Sequence, residues 1–264
     1  MLIKVTNHCA AGCSHCMEDS TVAGKHMPIE LFERALSFSF EVETLARQVT
    51  GLPTSILLSG GECSGHPAFE GLIERVERRG MLPVLITNGQ WLANRALRER
   101  VLRPGRPIFV FVTSDPRFYP TPVTLDFADE RVKIRHQVGS ILPLGRAARR
   151  SLPDDQPLKG PISFNLRSLT RTMGDIRQAI AWLRVRSMTH GAGACTPSIS
   201  DDGSIHAGDS RNCFSIGTID SSCAELTRAL IDMQCNRCGL VDRLTDEQKA
   251  AIGEASVTDA RAQA

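Results

Sequence analysis

The chain has 264 residues, 42% hydrophobic and 23% charged, and its 31 basic and 29 acidic side chains leave a formal charge of +2. This exceeds a bare binding module and suits one large domain, or a domain with a small annex; it excludes a largely disordered chain and leaves no clear nucleic-acid surface. No apolar stretch approaches the ~20 residues of a bilayer span, and LIKV at residues 2–5 starts the chain without a signal-peptide pattern, so a cytoplasmic protein is expected, with no membrane partner.

Apolar runs such as ILL, VLI and FVFV alternate with amphipathic segments such as FEGLIERVERRG, the pattern of β/α repeats around a parallel sheet. Strands are predicted over 2–6, 54–59, 82–87, 107–113, about 131–138 and about 161–166. Helices are predicted over about 28–49, 67–80, 91–100 and about 173–186. The segment SDPRFYPTPVTLDFADE, with three prolines, reads as an extended loop whose Phe118 and Tyr119 either pack on a substrate or anchor the loop.

The polar and cysteine-rich motifs fall at the C-terminal ends of these strands, where βα loops converge in parallel folds. Directly after the first strand, NHCAAGCSHC places Cys9, Cys13 and Cys16 in a CxxxCxxC pattern. Three thiolates on one loop can hold three irons of a 4Fe-4S cube and leave the fourth open; a zinc knuckle is the alternative. The strand TSILLSGGEC ends in Gly60, Gly61 and Glu62, where glycines permit close backbone approach and the carboxylate can accept from an ammonium. The next strand ends in Thr87-Asn88-Gly89 and the following one in Ser114-Asp115, which reads equally well as a helix cap. Cys63 is either a small buried hydrophobe or a thiol able to relay a hydrogen atom.

From residue 190 the texture changes. Asp202-Gly203 between SIS and SIHA signals a β-hairpin, with Cys195 before it, Cys213 after it, and Cys235 and Cys238 as a CxxC beyond a helix. Those four cysteines make a tetrathiolate set, for which zinc and 4Fe-4S are both admissible. Cys223 reads as a packing residue or a replacement ligand for Cys213, and His190 and His206 as surface or supporting residues. The tail beyond 240 reads as a helix and a frayed end.

Taken together, CxxxCxxC, the GGE of residues 60–62, the Thr87-Asn88-Gly89 tip and the Leu144-Gly145-Arg146-Ala147 segment resemble the radical S-adenosylmethionine (SAM) superfamily, and residues 195–238 resemble its SPASM/twitch extension. The resemblance covers residues 2 to about 240. It implies an α/β fold, a partial (β/α)6 barrel over 1–188, a twitch-type hairpin-and-helix annex over 189–240, and a C-terminal helix and tail over 241–264. It implies SAM and a 4Fe-4S cluster on Cys9, Cys13 and Cys16, and an auxiliary 4Fe-4S cluster on Cys195, Cys213, Cys235 and Cys238. SAM contacts would come from Gly60, Gly61, Glu62, Thr87, Asn88, Ser114, Asp115 and Arg146, with His15 where the family places a ring near the adenine. The implied activity is reductive SAM cleavage, hydrogen abstraction and net oxidation of a small molecule or ribosomally made peptide. A flavodoxin- or ferredoxin-type donor would supply electrons, and a peptide maturase would use a separate recognition protein. The non-enzyme alternative is an iron-sulfur or zinc carrier or regulator, which leaves the strand-tip motifs without a role.

Overall fold

The computed structural model describes residues 1–51, 53–135, 144–149, 170, 174–181 and 197–232. The β/α alternation is realised as β1 (Leu2–Lys4), α1 (Ile29–Thr50), β2 (Ser55–Ser59), α2 (Phe69–Arg78), β3 (Leu82–Thr87), α3 (Arg95–Val101), β4 (Phe109–Thr113) and β5 (Val132–Arg135). Then come β6 (Ser198–Ile199), β7 (Ser204–His206), β8 (Ser215–Thr218) and the helix Cys223–Asp232. The predicted strand at 161–166, most of the helix at 173–186 and the tail lie outside the described residues, although 176–181 is helical with Ile176, Ala179 and Ile180 buried.

The strands form one eight-stranded sheet in the order β5-β4-β3-β2-β1-β6-β7-β8. The pairs from β1 through β5 are parallel, β6 runs parallel to β1, and β7 and β8 are antiparallel. The fold is therefore mixed α/β with a mostly parallel sheet. The hairpin foreseen around Asp202-Gly203 is present, with Gly203 at φ 84 in its turn, and β6 joins it to the free edge of β1. Ile3, Ile56, Leu58, Leu85, Val110 and Val112 share one core with Phe32 and Leu36 of α1 and Leu72, Ile73 and Val76 of α2. Spacings of three and four along α2 turn those side chains to one stripe.

Because strand side chains alternate, the opposite face carries Leu2 and Lys4, which pair in register with Leu57 and Ser59. One predicted helix is split. Asn94 sits in an extended conformation and its side chain accepts from the Leu97 N–H at 3.1 Å, so a 3₁₀ turn over Gln90–Ala93 ends before α3 begins. Among the described residues no helix is long and apolar enough to cross a membrane.

Candidate functional site: a three-thiol cavity at the strand tips

The loop after β1 is tied down at both ends: Asn7 N–H donates to Lys25 O at 2.8 Å and Cys9 N–H to Thr21 O at 2.9 Å. These ties hold Cys9, Cys13 and Cys16 on the wall of a cavity of about 300 Å³. Ser59 at the end of β2 with Gly60 and Gly61 beyond it, Thr87 at the end of β3 with Asn88 just after it, and Thr113 of β4 complete the rim, all at C-terminal strand ends. The three thiols are free. Cys13 is pushed up to about 12, first by burial and then by Cys9 and Cys16. Burial also raises Cys9, opposed by the Ala11 N–H that donates to its Sγ at 3.4 Å. Cys9 and Cys13, both held neutral by desolvation, form with Cys16 a donor set that a cationic metal group would complete. Among the described residues no three His, Cys, Asp or Glu side chains converge on one metal ion. A cluster makes a different demand, since each thiolate takes its own iron and the ligands ring a volume.

Gly60 has φ 139, and a Cβ there would lie 2.2 Å from Thr6 O; at Gly61 it would lie 2.4 Å from His8 O. The N–H groups of Gly61 and Glu62 donate to Thr6 O and His8 O at 2.8 and 2.9 Å. The glycines thus seat the β2 tip on the start of the cysteine loop, a packing duty beyond the ligand approach expected from sequence. Glu62 is buried and contributes nothing to the lining. Its Oε1 accepts from Ser64 N–H, Ser64 Oγ and Thr87 Oγ1 at 3.1, 2.7 and 2.6 Å, and its Oε2 from Asn88 N–H at 2.7 Å. One carboxylate stitches the tips of β2 and β3 together.

Arg146 lines the cavity and donates from its two terminal nitrogens to Cys13 O and Ser20 O, both at 2.8 Å. Gly145 beside it, at φ 55, packs where a Cβ would meet Met17 O at 2.6 Å. His15 makes tilted ring contacts with both Phe118 and Tyr119, each 5.0 Å between centroids, so the proline-rich loop is anchored on the cysteine loop. Tyr119 also lines the cavity, its hydroxyl 2.8 Å from Thr113 Oγ1, and burial drives its phenol well above the usual range.

Ser114 and Asp115 do not line the cavity. Ser114 Oγ accepts from Val123 N–H at 2.8 Å, and Asp115 accepts from the Arg117 backbone and guanidinium. They shape the loop that follows β4, which contains no helix for them to cap among the described residues. Cys63 is fully buried in the core, with its Sγ 3.7 Å from Ile86 O, and is not brought to the cavity.

In the annex, Cys213 lies in the turn between β7 and β8, half-buried, and its carbonyl lies 3.2 Å from His206 Nδ1. His206 is buried on β7, so of the two readings drawn from sequence, a surface or a supporting residue, the surface one does not hold. Burial holds its imidazole below the usual value. Cys223 opens the helix Cys223–Asp232 with its Sγ 3.4 Å from Asp175 Oδ1. Cys195, Cys235, Cys238 and His190 lie outside the described residues. The turn around Cys213 grips the cysteine loop: Ser210 Oγ and Asn212 Nδ2 donate to Met17 O at 3.0 and 2.6 Å.

Sequence reading passed over Lys4, Glu18 and Asp209, which share one stretch of cavity wall. The signal was available for Lys4: a lone lysine inside the strand LIKV is 4% exposed. It also passed over a row of imidazoles behind the glycines, His8, His26 and His66, spaced 5.3 Å from centroid to centroid. His66 accepts from Ala68 N–H through Nδ1 at 3.0 Å, which leaves Nε2 to donate to Met27 O at 2.9 Å. That pairing suits the neutral ring, and burial lowers its proton affinity. Above the unfolded value near 6.5 both states are neutral; as pH falls through it the unfolded state protonates first, so stability is lost between there and the lower folded value. Urea midpoints measured from neutral pH down to about pH 5 should fall for the wild type and fall less for His66→Gln. Parallel curves would show that another group governs the acid limb.

An α/β sheet whose tips enclose three free thiols defines a candidate metal-cluster site. No family model and no curated protein matches the chain. Among solved structures it is similar to the "Crystal structure of BtrN in complex with AdoMet and 2-DOIA", at 11% identity and a TM-score of 0.49 over 95% of this chain and 87% of that one.

Proposed function

We propose that the chain is a radical SAM enzyme: a 4Fe-4S cluster on Cys9, Cys13 and Cys16, an auxiliary cluster in the 189–240 segment, and net oxidation of a small molecule or peptide. The observation that carries this reading is the convergence of three free thiols from one loop with the Gly60-Gly61 turn, the β3 tip and Arg146 on a single cavity. Bound there, the cluster and SAM would supply a 5'-deoxyadenosyl radical for hydrogen abstraction, and the auxiliary cluster an electron acceptor.

The chain's own residues supply the rest. Arg146 pins the cysteine loop through the Cys13 and Ser20 carbonyls, and the Ala11 N–H donates to the Cys9 sulfur. Glu62 and Thr87 fix the rim, while Tyr119 and Phe118 pack against His15 of the cysteine loop. A metal-loaded but inert protein would have no need of an open cavity lined by Thr87, Asn88 and Thr113 beside the thiols.

The test is anaerobic reconstitution with iron and sulfide, with iron counted per chain and 5'-deoxyadenosine measured from SAM and a strong reductant. About eight irons with SAM cleavage is the expected result. About four irons with cleavage would give the annex to zinc, and a loaded protein that leaves SAM intact would return the chain to the carrier or regulator class.

A further inference from the structure

Residues that share a register on neighbouring strands point to the same face of a sheet, and the face alternates along each strand. Val110 and Val112 of β4 enter the core, and with them Val132 of β5, the register partner of Val110. The alternate residues, Phe111 and Thr113 of β4 with Lys133 and Arg135 of β5, therefore face the other way. That is the cavity face, because Thr113 lines the cavity and so does Ile86, the register partner of Phe111 on β3. Arg135 stands beside Thr113, one strand spacing of about 4.8 Å further out.

Arg135 is exposed, so a ligand has access to it. Its guanidinium carbon lies 3.9 Å from the centroid of the Phe111 ring, a contact that draws the side chain from β5 back toward β4 and the cavity. The ring attracts the charge but offers no oxygen to the five N–H groups. Among the described residues the Arg135 side chain meets no carboxylate and makes no hydrogen bond, and the same holds for Lys133 on the same face. Other arginines of this half are neutralised: Arg106 meets Glu77, Arg117 meets Asp115 and Arg131 meets Asp129. Arg146, the cation on the cavity wall itself, has both terminal nitrogens engaged by the Cys13 and Ser20 carbonyls.

The geometry points to Arg135 as the anchor for an oxyanion group of the substrate, a carboxylate or a phosphate. This rests on the radical reading above for the identity of the cavity as the substrate site. A planar guanidinium matches two oxygens of either group with two parallel N–H bonds. Phe111 holds that fork in place before the ligand arrives, which limits the rotamer freedom lost on binding. Lys133 adds a second positive charge to the same face without a fork. A neutral alcohol exchanges one set of hydrogen bonds with water for another and gains little, and an ammonium meets like charge. An anion in the cavity has two arginines within its field, and Arg135 is the one whose terminal nitrogens are open.

The experiment is ligand-observed saturation-transfer NMR on the full-length reconstituted protein at fixed ionic strength and about pH 7.5, where carboxylate and amine are both charged. SAM and reductant are omitted, and lactate, methyl phosphate, 1,2-propanediol and 1-amino-2-propanol are the probes. One of the two anions should bind saturably and roughly tenfold tighter than the diol, with the amine no tighter than the diol. Which anion it is tells a carboxylate site from a phosphate site. Arg135→Gln should weaken that anion roughly tenfold, leave the diol unchanged and keep the melting temperature, because the residue is exposed and has no described acceptor to abandon. Arg135→Lys keeps the charge and loses the fork, and should weaken the anion by less, roughly threefold. Anions that bind no better than the diol would overturn the assignment. So would an Arg135→Gln variant that binds the anion like the wild type, since the anion would then sit on another cation such as Arg146. Should that variant fail to fold, Arg135→Lys decides, and unchanged anion affinity there would overturn the fork. Formation of 5'-deoxyadenosine is measured separately: anion selectivity without SAM cleavage would sink the reaction and spare the subsite, and cleavage without selectivity would do the reverse.

Discussion

Replacing Cys9, Cys13 and Cys16 together with Ala is expected to lower the reconstituted iron content by about four per chain and to bring 5'-deoxyadenosine formation down to that of a no-enzyme control. The loop should survive the change, because apart from the long Ala11 N–H contact to the Cys9 sulfur its ties do not involve the thiols. The Cys9 and Asn7 N–H groups donate to Thr21 and Lys25, Ser14 N–H donates to Phe118 O, and Arg146 binds the Cys13 carbonyl, which Ala retains. The melting temperature of the metal-free variant should therefore match that of the metal-free wild type. The paired change of Cys235 and Cys238 to Ala gives the contrast: it should remove the other four irons and leave some SAM cleavage, provided the annex holds without its metal. Persistent 5'-deoxyadenosine from the triple variant would sink the radical reading, whatever its iron content.

What could be read from the sequence follows the range of the interactions. The strands of the parallel half, the hairpin at Asp202-Gly203 and the cysteine loop are local patterns: apolar runs, turn chemistry and short spacings. They appear in the structure within a few residues of their expected ends. Asn94 shows how a single cap can split a helix whose periodicity runs on. The tips were harder. Gly60, Gly61, Glu62 and Thr87 were singled out as ligand contacts, yet the first two seat β2 on the cysteine loop and Glu62 ties β2 to β3, which only packing across strands reveals. Ser114 and Asp115 had the right residue types at a strand end and were drawn into their own loop by Val123 and Arg117. The Lys4–Glu18–Asp209 wall joins residues up to 205 positions apart through the pairing of β6 with β1. A parallel partner arriving from that far along the chain leaves no local trace.

Gly60→Ala should be among the most destabilising single changes in the described fold. At φ 139 the backbone occupies a region that side chains avoid, which costs on the order of 1–3 kcal/mol for a non-glycine residue. The added Cβ would also sit 2.2 Å from Thr6 O, a backbone atom. Thr6 has little freedom to retreat: its carbonyl accepts the Gly61 N–H at 2.8 Å, and its hydroxyl lies 2.9 Å from Lys25 O and 2.8 Å from His26 Nδ1. Strain and clash together should cost about 3–5 kcal/mol. At 2–4 °C per kcal/mol for a chain of this size, the melting temperature should drop by roughly 10 °C. Gly105→Ala separates the two causes. Gly105 also has positive φ, at 76, but no heavy atom lies within 4 Å of its Cβ position, so only the left-handed penalty of about 1–2 kcal/mol applies. If calorimetry gives Gly60→Ala the mild loss of Gly105→Ala, the β2 tip is free to shift away from Thr6. The seat that holds the cysteine loop against the rim would then be looser than these contacts require.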